Sequence, residues 1–167
     1  MAKEAHKLLA AFHEDHAVLG RGFHELSQCL RTSDLAKGRQ IARRLDDAGG
    51  AHIAFEERHF YPLLEPLIGA EEVRQMHEAH GKGLSVVHTL LEREEGSPLS
   101  EAERQGLLER SEAMEQHIAE CGELFEAIGR MSGEEQDALY GHLVTLREER
   151  TRWTEFADAA VSRDTAG

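Results

Sequence analysis

Apolar residues recur every three or four positions along nearly the whole chain, the period of helices that turn one face to a core. One seam runs Leu9, Phe12, Leu19, Phe23, Leu26 and Leu30, and another Ile41, Leu45, Ala48 and Leu63. A third runs Val73, Met76, Leu84, Val87 and Leu90, and a fourth Met114, Leu124 and Ile128. Breakers divide them. Thr32-Ser33-Asp34 ends one helix and caps the next, Pro62, Pro66 and Gly69 close the second, and Gly96-Ser97-Pro98 separates the third from the fourth. Ser100 with Glu103, and Ser132 with Glu135, have the spacing of capping boxes. The pattern predicts helices over about 3–31, 34–61, 70–95, 100–131 and 133–162. Short connections make consecutive helices antiparallel neighbours. The expected fold is all-α: an up-down-up-down four-helix bundle over residues 1–131, with a C-terminal accessory helix and tail of the same domain over 132–167. The accessory helix carries Leu139, Leu143, Leu146, Trp153 and Phe156, which would pack on the bundle or form a homodimer interface.

A histidine interrupts every bundle seam. At about 100° per residue, His16, His52, His80 and His117 fall on the inner faces, while His13, His24, His77 and His88 fall toward the flanks. Glu56 follows His52 by one turn, about 6 Å along the axis. Cys121 stands in the same relation to His117, whereas Glu120 is phased about 90° away. His59 also faces inward, about 10 Å from His52; His6 and His142 read as surface. The pattern occurs twice. His13, His16 and His24 recur as His77, His80 and His88 at an offset of 64, and His52-Ile53-Ala54 recurs as His117-Ile118-Ala119 at an offset of 65.

One histidine on an apolar stripe is ordinarily a core residue with a hydrogen-bond partner. Four helices that each break the seam with the same residue call for a shared cause. Four imidazoles buried without partners would cost about 1–3 kcal/mol each. A carboxylate on the same inner stripe would cost more without a cation. A metal held by His16, His52, Glu56, His80, His117 and Cys121 removes both costs.

Charge narrows the partners. A formal net charge of −13 weighs against nucleic acid and against an anionic membrane surface. No apolar run approaches the roughly 20 residues that span a bilayer, and the first residues mix charges without the apolar core of a signal peptide. Cys29 and Cys121 are too few for a disulfide framework, so a reducing cytoplasm is the expected setting.

These residues resemble the hemerythrin-like family, the HHE cation-binding domain, over about residues 8–128. The motifs are Asp15-His16 on the first helix, His52-Ile53-Ala54-Phe55-Glu56-Glu57-Arg58-His59-Phe60-Tyr61-Pro62 on the second, and Glu78-Ala79-His80 on the third. The resemblance implies an up-down bundle around a non-haem, oxygen-bridged di-iron centre. It also implies a role in binding or sensing O2, NO or reactive oxygen species, or in iron handling. The fourth helix departs from the family's repeated His-x-x-x-Glu, because Cys121 stands where the second glutamate is expected. Three readings follow: Cys121 is a ligand, since thiolate suits iron or zinc; the site holds one tight metal; or Cys121 is a small buried hydrophobe and solvent or Glu120 completes the shell. The leading expectation is an iron protein, with one or two ions, whose partner is a diatomic molecule or peroxide. The alternatives are a redox enzyme consuming peroxide or NO at the same iron, and a non-redox zinc module.

Overall fold

The computed structural model describes residues 5–158, and every element in that span is helical. The helices are α1 (Ala5–Thr32), α2 (Leu35–Phe55), α3 (Tyr61–Ile68), α4 (Ala70–Glu92), α5 (Glu101–Ala119), α6 (Gly122–Arg130) and α7 (Gly133–Glu149). A π-helical turn, Glu56–Phe60, joins α2 to α3, and a last helical stretch covers 153–158. The expected first-helix start at 3 and last-helix end at 162 lie outside the described residues, as does the side chain of His6.

The caps act as their residue types require. Asp34 accepts a hydrogen bond from the Lys37 amide, and Ser100 accepts one from the Glu103 amide. Ser132 and Glu135 form the complete reciprocal box at the start of α7. In the principal contacts, α1 packs on α2 and α5, and α4 packs on the same two helices. The four enclose Phe12, Leu19, Phe23, Leu26, Leu30, Ile41, Leu45, Val87 and Met114, all at most 4% exposed. Ser111 carries the polar contacts across that core, a 2.7 Å hydrogen bond with Ser27 and a longer one to Phe23 O at 3.4 Å.

Three expected helices have different ends. The second does not stop at 61: it passes through the π-helical turn and continues to Ile68, where Gly69 takes a positive φ of 97°. Pro62 explains the turn. Proline has no amide hydrogen and its ring crowds the carbonyl four residues back. The chain answers by widening one turn, so that the Tyr61 amide donates to Glu56 O, five residues earlier. The extra residue shifts every later side chain by about 100°. Leu64 is therefore fully buried and the expected seam residue Leu63 is 48% exposed. Ala48, also expected inside, is exposed as well.

The fourth helix breaks at Glu120-Cys121, and α6 starts afresh from Cys121. The fifth ends at Glu149, where Arg150 adopts left-handed φ and ψ of 54° and 29°. The chain then lies across α2 at Gly49 and Gly50. A Cβ on Gly50 would stand 2.0 Å from Thr151 O, so only glycine admits this crossing. Trp153 and Phe156 are 1% and 7% exposed, and Leu139, Leu143 and Leu146 are buried too. The apolar residues that the sequence offers to a dimer are thus covered within one chain. Asp46 fastens the stretch by accepting from the Thr154 amide and hydroxyl at 2.8 and 3.1 Å.

Candidate metal centre

Six helical segments bring their polar residues to one depth. α1 supplies Asp15 and His16, the last turn of α2 supplies His52, and the π-helical turn supplies Glu56 and Glu57; α3, α4 and α5 add Tyr61, His80 and His117. Glu56 is central and 1% exposed. Its Oε1 lies 3.2 Å from His52 Nε2 and 3.8 Å from His16 Nε2. Its Oε2 lies 3.1 Å from His80 Nε2, and His80 Nε2 is in turn 3.2 Å from His117 Nε2. Two potential ligand groups result, His16-His52-Glu56 and Glu56-His80-His117, each with its donor atoms within 4.8 Å of one another. One carboxylate is common to both.

The far nitrogens of three rings are held. His16 Nδ1 donates to Phe12 O at 2.8 Å, His52 Nδ1 to Asp15 Oδ2 at 3.1 Å, and His80 Nδ1 to Glu57 Oε1 at 2.9 Å. A carbonyl or carboxylate at Nδ1 fixes the tautomer whose free lone pair is on Nε2, the nitrogen that faces Glu56. Phe12 and Phe125 close the first group, with ring centroids 4.3 and 5.3 Å from that of His16. The Tyr61 hydroxyl donates to Glu56 Oε2 at 3.0 Å and lies 3.1 Å from His80 Nε2.

The charges are unevenly shared. Burial works against a proton on His52, but the Glu56 charge and the Asp15 hydrogen bond outweigh it and hold the ring at about 9. For His80, too, burial opposes protonation, and the Glu56 and Glu57 hydrogen bonds raise it. Burial and the adjacent imidazole push His16 and His117 each down to about 4. Burial would raise Glu56, yet His52 and His80 hold it well below the usual carboxylate range. In each group one imidazole is thus made more basic by the carboxylates and the other less basic by burial. Glu56 Oε1 is nevertheless a buried acceptor without an aligned hydrogen-bond donor. Such an atom, ringed by imidazole nitrogens, fits a divalent cation of the iron or zinc type.

Cys121 stands apart from both groups. Its buried thiol donates to His117 O at 3.2 Å, and burial, then Glu56 and Glu120, push it up to about 12. Glu120 is exposed at the end of α5, where Gln116 donates to it. His59 is turned away by the π-helical turn and stacks on His142, centroids 3.9 Å apart. His13 stacks on Phe125, His24 and His88 face Glu115 and Glu92, and His77 lies 3.6 Å from Glu57. The sequence reading gave no role to Asp15, Glu57 or Tyr61. The first two were visible as neighbours of His16 and Glu56; Tyr61 becomes an inner residue only through the π-helical turn.

Fold and site together define a helical protein that gathers four imidazoles around a shared buried carboxylate. The family model described as the hemerythrin HHE cation-binding domain matches residues 7–125, and the chain belongs to that family. Searches of curated proteins and of solved structures return no match. No helix among the described residues is long and apolar enough to cross a membrane.

Proposed function

We propose that the chain is a non-haem iron protein that holds two ions in an up-down-up-down bundle and binds or senses O2, NO or peroxide. The observation that carries this reading is the position of Glu56, whose two oxygens face two separate pairs of imidazoles. His16 and His52 would hold one ion, His80 and His117 the other, and Glu56 would serve both. Bound iron supplies the redox-active centre to which a diatomic molecule or peroxide can add. The chain's own residues do the rest. Asp15 and Glu57 orient His52 and His80 and add two negative charges behind the ligands, offsetting the absence of a second inner carboxylate at 121. Phe12 and Phe125 keep water from the His16 side.

His117 is half-buried and, with Cys121, lines a cleft of about 390 Å³ between α3, α4 and α6. That cleft supports approach of a small ligand from the His80-His117 side. The Cys121 thiol is buried and donates to His117 O, which favours binding or sensing over thiol-based turnover. Metal analysis of protein purified from iron-supplemented cells tests the reading. The expected result is two irons per chain, a visible spectrum that changes with O2, NO or peroxide, and loss of the His16-His52 iron in His52→Ala. Stoichiometric zinc, or a chain without metal, would overturn it.

A further inference from the structure

The C-terminal helix lies beyond the segment that matches the family, yet it touches the centre. Arg147 of α7 donates to Asp15 Oδ1 at 2.8 Å, Asp15 Oδ2 accepts from His52 Nδ1 at 3.1 Å, and His52 Nε2 is 3.2 Å from Glu56. The two carboxylates behind the histidines thus differ. Asp15 is clamped from outside the matched segment, while among the described residues Glu57 is paired with His77 and His80, both on α4.

Resting on the two-ion reading above, we propose that Arg147 is a positioning residue for the His16-His52 half of the centre, so that metal binding there and docking of α7 strengthen one another. A carboxylate with one oxygen on Arg147 keeps its other oxygen on the ring, and an imidazole held this way loses less freedom when it takes a cation. Because coupling between two events is reciprocal, an ion on His52 must tighten the hold on α7 by the same factor. Trp153 against Gly49 and the Asp46 cap on the stretch from 153 bypass the centre, while the His142–His59 stack and Arg58 over Phe156 reach the π-helical turn without touching a ligand side chain.

Arg147 also carries a charge, and the sign of its effect separates two roles. Removing a cation at about 10 Å would on its own tighten binding of a divalent metal by about fourfold in a solvent-like dielectric. Loss of positioning weakens it, by about tenfold at the low end for groups that orient a ligand. The test is anaerobic titration of metal-free full-length chain with Co(II), read from its visible bands. In Arg147→Gln one of the two binding steps is expected to weaken about tenfold and the other to stay within about twofold, with Arg147→Lys recovering part of the loss. Hydrogen exchange of the wild-type chain gives a second readout that needs no variant: amides of α7 should exchange more slowly once the metal is bound. Unchanged or tighter binding in Arg147→Gln, or exchange in α7 indifferent to metal, would overturn the inference. A wild-type chain that binds no metal at all would instead defeat the two-ion reading on which it rests.

Discussion

Glu56 and Tyr61 make the sharpest local test of the centre. The Tyr61 hydroxyl donates to Glu56 Oε2, and both groups are buried. Tyr61→Phe removes that donor and should destabilise the metal-free protein by about 1–3 kcal/mol in urea unfolding. The loss should shrink when metal is added, because the cation then satisfies the same oxygen; an equal loss in both states would contradict a carboxylate role in metal binding. Glu56→Ala should abolish binding of both ions, whereas His117→Ala should spare the His16-His52 ion. At this scale the sequence was legible where phase alone decides. His16, His52, Glu56, His80 and His117 were all picked out by the period of their neighbours. Asp15 and Glu57 were not, since each sits one residue off the inner stripe and matters only because a neighbouring helix brings a ring to it.

The helices themselves were legible wherever caps and breakers stood in the sequence, as at Asp34, Gly69, Ser100 and Ser132. The π-helical turn was not. A 3.6-residue period carried through Pro62 put His59 and Leu63 inside, and one inserted residue exchanged them for Tyr61 and Leu64. The last helix failed for another reason. Its apolar period continues past 150, and what ends it is the contact of Thr151 with Gly50, a long-range feature no local pattern contains. Gly50→Ala places a methyl against a carbonyl and should cost about 1–3 kcal/mol, read as a lower urea midpoint. The same substitution at Gly81, where a Cβ meets nothing within 4 Å, should instead be neutral or slightly stabilising.

As a whole molecule, the protein buries a carboxylate and three imidazoles, with a fourth half-buried, where an ordinary bundle would place leucines. On the proposed reading, metal would bind the folded chain and find no preformed site in the unfolded one, so its addition should raise the melting temperature, by an amount that grows with free metal concentration. Chelation should reverse the gain. A melting temperature indifferent to both would contradict the centre. The net charge of −13 acts in the same direction, since a cation entering the bundle relieves some of the chain's self-repulsion.

Anomalous scattering at the iron edge, from crystals grown of iron-loaded protein, addresses the shared carboxylate directly. The account requires two peaks flanking Glu56, one within bonding reach of His16 and His52 and the other of His80 and His117. A single peak, or peaks away from Glu56, would contradict it.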